Sequence, residues 1–413
     1  MKPIHVNLVA ETEHEKDNLA KVVAHAEELI KVPTVEAVAI MPDACPAGHA
    51  PGTIPVGAVA KTGNAIHPGM HSADVCCSVA LTSLGQVDPA AVLDTAMGVT
   101  HFGMGGRPYQ DQVLVPENIM QGFKSNTFLA PLVNDAVAHF ATQGDGNHFL
   151  YVGTLESTGE TVIVTHHGSR KPGAMLYKAG LECANKHIKS LGLHKTVPKH
   201  NAWMDFNSAE GREYWSALQF IRLWTRASHY SIHNMVADKL GIRAFSDRFW
   251  NEHNFVFRRK GAFYHAKGAT PSFLGFSRDD TGRTLIPMNC ASPILITAHA
   301  DAKNGLGFAP HGAGRNFSRS QHLAQLGGRT PEQIIQDEIP GIDFRAFNGK
   351  LDLSELPSAY KSPEKVREQL DQFGLAKVID TVLPHGSIMA GEQYQPWKHK
   401  KRGAKPDVHS PAG

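Results

Sequence analysis

Residues capable of chemistry run through this chain from Asp74 to Tyr360, and no linker, repeat or shift of composition divides them. Bringing them to one place calls for one large body folded around a central site. With 413 residues the chain is long enough for such a core, although length alone also allows two or three ordinary domains. The elements read as mixed α/β. Thr12 to Val32 carries Leu19, Val22, Val23, Ala26, Leu29 and Ile30 at helical spacing, and Pro33 closes it. Residues 42–70 are rich in Gly and Pro and predict loop with short strands. Phe128 to Thr142 and Gly173 to Leu191 predict helices. Thr161 to Thr165 is β-branched and predicts a buried strand that runs directly into His166. Ser208 to Leu240 predicts one or two helices, broken near His229 to His233. Pro293 to Thr297 predicts a strand, and Pro331 to Glu338 and Pro363 to Val382 the last helices. The stretch from Gln393 on is polar and basic (Lys398, Lys400, Lys401, Arg402, Lys405) and is expected to fray. The expectation is therefore a single large mixed α/β domain over residues 1–391, with a flexible basic tail over 392–413.

Composition narrows the class. Charged residues at 19% and hydrophobic ones at 42% fit a soluble globular protein, and a net charge of +2 is too small to argue for nucleic acid by itself. Five cysteines without a pattern argue against a disulfide framework and for a reducing compartment, so a cytoplasmic location is expected. The acidic N-terminal stretch does not read as a signal peptide. No apolar run approaches about 18 residues, so no membrane association is expected. Histidine stands out, at 24 residues. That excess fits surface use or, more sharply, a metal site, since neutral imidazole is the commonest metal ligand.

The most specific segment is His311-Gly312-Ala313-Gly314-Arg315, followed by Asn316-Phe317-Ser318-Arg319. Glycines on both sides of Ala313 allow φ > 0 and a close approach of backbone to a ligand. The arginines offer the fork that matches phosphate oxygens. His311 itself reads equally as a nucleophile toward phosphorus, a metal ligand or a structural donor. Elsewhere, Asp74-Val75-Cys76-Cys77 sets a carboxylate beside thiols, a donor mix suited to Zn(II), Mn(II) or Fe(II). Gly146-Asn147-His148-Phe149 follows a glycine-rich turn. His166-His167-Gly168-Ser169-Arg170 sits at the carboxyl end of a strand, where α/β proteins place ligands. His253-Asn254 follows Trp250. Taken singly, each fragment reads as readily as a buried hydrophobe or a hydrogen-bonded turn.

Taken in order, with Met41-Pro42-Asp43, Lys267-Gly268-Ala269-Thr270, Leu285-Ile286-Pro287 and Pro357-Ser358-Ala359-Tyr360-Lys361, they resemble the RtcB family of GTP-dependent RNA ligases. The resemblance covers roughly residues 41 to 391. It implies an RtcB-like fold around a dinuclear metal site and a ligase that joins RNA 3′-phosphate or 2′,3′-cyclic phosphate ends to 5′-hydroxyl ends. It implies two Mn(II) ions, with Zn, Co or Fe as substitutes, and GTP as co-substrate. Cys77 would bridge the ions, with Cys76 the other choice; Asp74 and His148 would complete one site, His166 and His253 the other. His311 would become guanylylated. Asn147, His253, Asn254, Ser292, Gly312, Ala313, Gly314, Arg315 and Tyr360 would surround the nucleotide, with Tyr360 on the base. Arg170, Lys267 and Arg319 would meet RNA phosphates. Protein partners are not indicated. Two positions that meet the base in the family differ here, Tyr151 and Ala390. A metal-dependent phosphodiesterase or phosphatase on RNA ends is the second reading, and a non-catalytic RNA binder using the basic tail the third.

Overall fold

The β-branched segment forms the strand Thr161–His167, and every one of its residues is buried. It lies inside the larger of two main sheets in the computed structural model, which describes residues 2–392. Nearly all of the expected tail, from 393 on, lies outside the described residues. Along the larger sheet the order is Arg283–Ile286, Ile294–His299, Ala376–Met389, Phe149–Leu155, Thr161–His167, Ser78–Gly85, Arg248–Glu252. All these pairs are antiparallel. Asp343–Ala346 joins the far end of Ala376–Met389 in parallel. A second sheet runs Ile4–Val6, Val35–Cys45, Val56–Thr62, Ala262–Lys267, Asn254–Arg259. The chain passes between the two sheets at His253, which separates Arg248–Glu252 from Asn254–Arg259. The expected single mixed α/β domain is what forms. No described helix is long and apolar enough to cross a membrane.

Several elements differ from expectation for identifiable reasons. The segment 208–240 is one unbroken helix, Ala209–Lys239, capped by the Ser208 hydroxyl. His229 and His233 look like an interruption of its apolar stripe, yet both are fully buried against the sheet. Thr165 Oγ1 lies 2.7 Å from His229 Nδ1 and 2.8 Å from His233 Nε2, Ser78 Oγ lies 3.0 Å from His229 Nε2, and Thr82 Oγ1 lies 2.7 Å from His233 Nδ1. Sheet hydroxyls thus satisfy polar rings that burial would otherwise penalise. The helix expected over 363–382 stops at Gln372. Gly374 takes φ 61 and Leu375 N–H donates to the Leu370 carbonyl, a left-handed C-terminal closure, after which the strand Ala376–Met389 begins. The helix expected over 128–142 shrinks to Val133–Ala138, because Ala141 turns to φ 55 with its carbonyl held by the Arg107 guanidinium. In the Gly/Pro-rich region the strand Val35–Cys45 extends through Met41-Pro42-Asp43. A register shift between Ile40 and Cys45 takes Pro42 off the hydrogen-bond ladder and leaves Asp43 buried.

The long helix also pins the end of the strand that delivers His253. Glu252 is fully buried, pushed above the usual carboxylate range by burial, and paired with Arg222 of that helix. Arg222 in turn lies over the rings of Phe255, Phe257 and Phe276. Arg222→Ala strands the carboxylate in an apolar setting. It is expected to cost about 3–5 kcal/mol of stability, measured by urea unfolding. A loss below about 1 kcal/mol would mean that the pair does not hold the strand end.

Candidate active site

His311 leaves the short strand Phe308–Pro310, which is held by Ala269–Pro271. Its backbone N–H donates to Asp43 Oδ2 at 3.0 Å, and its Nδ1 lies 2.6 Å from the same oxygen. An ionised carboxylate only accepts, so Nδ1 carries a proton, and in the neutral ring the lone pair falls on Nε2. Lys361 Nζ donates to the carbonyls of Pro42 and Ala44, on either side of Asp43. Of the two glycines around Ala313, only Gly314 uses positive φ, at 74°. A Cβ there would sit 2.0 Å from the Asp43 carbonyl oxygen, so the loop lies directly on the strand that bears the carboxylate. Gly268, at φ 64, would place a Cβ 2.9 Å from His311 Cε1 and so leaves room for the ring.

Beside His311 lies a second cluster; the His253 and His311 ring centres are 4.9 Å apart. Cys77 Sγ is 3.2 Å from His166 Nε2 and 3.5 Å from His148 Nε2. His166 Nε2 is 3.2 Å from His253 Nε2, and His148 Nε2 is 3.0 Å from Asp74 Oδ2. The donors form two triads, Cys77/His166/His253 and Asp74/Cys77/His148, each within 4.8 Å, and Cys77 belongs to both. Cys76 takes φ 60 and joins the hydrophobic core, so the two thiols part company. Gly168 is required beside Asp74, since a Cβ would fall 1.9 Å from Oδ1.

The chemistry of these donors fits divalent cations. His166 Nδ1 lies 3.0 Å from the Asn147 carbonyl, which fixes its proton there and points the Nε2 lone pair into the cluster. Burial pushes His166 down to about 3 and His253 well below the usual imidazole value, so both rings are neutral, as metal ligands must be. Burial and the nearby Asp74 push the Cys77 thiol well up. Burial would raise Asp74 too, but the His148 ring holds its carboxyl well below the usual range. A carboxylate beside a buried sulfur is a costly pairing that a cation would relieve.

Both clusters open onto one cavity of about 450 Å³. It brings together Asp74, Cys77, His166, His253, Asn147, Asn254, Lys267, the loop from His311 to Arg315, Arg319 and Tyr360. Ser292 lies in the turn after Asn289 and does not line it. Arg170 does not line it either. Its Nη2 donates to the Gly103 carbonyl at 2.7 Å and its Nε to Thr142 at 3.3 Å, bracing the turn ahead of His148. Tyr360 lines the wall, but its hydroxyl donates to Glu355 and one ring face carries the Arg315 guanidinium, 5.1 Å from the ring centre. Tyr151 is buried, its hydroxyl on the Val382 carbonyl.

Comparison with known proteins gives this arrangement a family. A profile described as tRNA-splicing ligase RtcB matches residues 104–390. The chain belongs to the RtcB family. Proteins named tRNA-splicing ligase RtcB resemble it at modest identity. The one from Archaeoglobus fulgidus is 28% identical over 283 residues, covering 59% of this chain and 58% of that protein. The one from Aeropyrum pernix is 29% identical over 286 residues, with 59% and 58% covered. The one from Thermococcus kodakarensis is 27% identical over 424 residues, with 84% and 86% covered. The matches to the first two thus span less than two thirds of those proteins' length. Asp43, Asp74 and Cys77 precede the RtcB-matched segment, and it is the fold that carries them to His311, His148 and His166.

Sequence reasoning passed over two carboxylates of this RtcB site. Asp43 was visible only as part of a motif, though an acid following the apolar run Ala37 to Met41 was a usable signal. Glu355 gave none: it lies in a short 3-10 turn, Leu353–Glu355, without periodicity.

Proposed function

We propose that this RtcB-family chain is an RNA ligase that joins 3′-phosphate or 2′,3′-cyclic phosphate RNA ends to 5′-hydroxyl ends through a guanylylated His311. The observation that carries the reading is a buried carboxylate fixing the His311 tautomer so that Nε2 is free beside a cluster of metal-type donors. Nε2 attacks the α-phosphorus of GTP, the bond to pyrophosphate breaks, and pyrophosphate leaves. Asp43 stabilises the positive charge that develops on the ring. An oxygen of the RNA 3′-phosphate then takes GMP from His311, and the 5′-hydroxyl of the second RNA displaces GMP from that phosphate. Cyclic ends are first opened by water. Asp74, Cys77, His148, His166 and His253 hold two divalent ions, Mn(II) by preference, which neutralise the phosphates while bound. Asn147 and Arg315 take phosphate oxygens of the nucleotide. Lys267 takes RNA phosphate, Arg319 stands beside Arg315 on Glu355, and Arg170 braces the His148 turn.

The test is incubation with Mn(II) and α-labelled GTP or ATP, followed by a search for an acid-labile protein adduct and for joined RNA. Label on the wild type that is lost in His311→Ala supports the reading; no label with either nucleotide ends it. Opening of a cyclic-phosphate end without joining would point instead to a phosphodiesterase.

Metal capture should also depend on pH with a defined sign. Among the groups whose shifts are resolved, His166 and His253 are already neutral at pH 7, whereas the Cys77 thiol is protonated and must release one proton to bind. Raising the pH therefore favours binding, by about tenfold per unit between pH 6 and 8. Chelator competition measures this slope. A flat profile would exclude Cys77 as a thiolate ligand.

A further inference from the structure

One wall of the cavity is organised by a fully buried acid. Glu355 ends the short turn Leu353–Glu355, the next residue, Leu356, packs with Leu326, Ile334 and Ile339, and the Glu355 side chain is closed to solvent. Its Oε1 accepts from Arg319, whose Nε and Nη2 each lie 2.6 Å away. Its Oε2 accepts from Arg315 Nη1 at 3.1 Å and from the Tyr360 hydroxyl. Arg315 is further fixed by the Phe317 and Ser354 carbonyls, at 3.1 and 2.8 Å. A guanidinium has five N–H donors. These contacts use only some of them on each arginine, and both arginines line the cavity. Arg319 also reaches the turn that bears Asn147, since a Cβ on Gly146 would lie 3.4 Å from its Nη2.

We propose that Glu355 is a positioning residue. It holds Arg315 and Arg319 side by side as a preformed clamp for the phosphate groups of a polyphosphate substrate, a role that rests on the ligase reading above. Two guanidinium groups at one wall repel each other and would otherwise swing toward separate partners. One carboxylate oxygen for each arginine cancels that repulsion and fixes both planes before the ligand arrives. What the clamp gains is preorganisation, because the ordering is complete before binding.

The role makes a prediction opposite in sign to that of charge alone. The trio Arg315, Arg319 and Glu355 carries a formal charge of +1. Removing the acid raises it to +2, which by simple attraction would tighten anion binding. If Glu355 acts by position, Glu355→Gln weakens binding instead. Inorganic tripolyphosphate, titrated calorimetrically in Mn(II) buffer, is the probe, and it reads the clamp whether or not His311 is ever labelled. Glu355→Gln is expected to weaken tripolyphosphate at least tenfold. It should raise the KM for GTP in His311 labelling by more than it lowers the maximal rate. Glu355→Asp keeps the charge but is one methylene too short to serve both arginines, so it should weaken binding as well, and it stands in if the glutamine variant does not fold. Unchanged or tighter tripolyphosphate binding in a folded variant overturns the proposal. Tripolyphosphate binding without any label on the wild type would sink the ligase reading and leave the clamp standing.

Discussion

Replacing His311 with alanine is expected to abolish covalent capture of the nucleotide, and Asp43→Asn to slow it by roughly 10²–10³-fold. The first follows from the loss of the attacking atom. The second follows from charge. On the proposed mechanism the ring becomes cationic as Nε2 bonds to phosphorus, and the carboxylate 2.6 Å from Nδ1 is buried, where a charge-assisted bond is strong. Asparagine keeps the shape and can still accept from Nδ1 and the His311 N–H, but it offers no charge. The expected loss corresponds to about 2.7–4 kcal/mol of barrier. An asparagine turned the other way would donate to Nδ1 and move the proton to Nε2, blocking attack outright. Single-turnover labelling rates, with circular dichroism to confirm folding, decide the matter. A rate within threefold of wild type in Asp43→Asn would mean that the carboxylate only fills space.

Much of the site could be read from the sequence because its donors sit where local rules place them. His166 ends a β-branched strand, His148 follows a Gly-Asp-Gly turn, and His311 opens a loop whose glycine must fit against a neighbouring strand. The residues that were missed act over long range. Asp43 meets His311 across 268 positions and depends on a strand bulge, and Glu355 takes its importance from three partners that only the fold supplies. The same physics explains the misread helix. His229 and His233 look like solvent-seeking residues until sheet hydroxyls 64 to 151 positions away are counted as their partners. Periodicity registers which face is buried. It does not register which buried polar group has been satisfied.

That limit bears on the pair Cys76-Cys77, which sequence alone leaves open and which the backbone separates by turning Cys76 to φ 60. Only Cys77 belongs to both donor triads, so on the proposed two-ion reading its loss should remove both ions, whereas loss of a residue from one triad should remove one. Cys77→Ser is the sharper substitution. Serine keeps the polarity, but its hydroxyl is far harder to ionise than a thiol and its oxygen is a harder donor for the ions a thiolate attracts. Metal content measured by mass spectrometry should fall from about two ions per chain to near zero, and covalent labelling of His311 should fall with it. His253→Ala should retain about one ion, held by Asp74, Cys77 and His148. Cys76→Ala removes only a core contact and should retain two, at a stability cost on the order of 1 kcal/mol. If Cys77→Ser still carried two ions, the thiol would not be the shared ligand. The triads would then have to be held by their carboxylate and imidazoles alone.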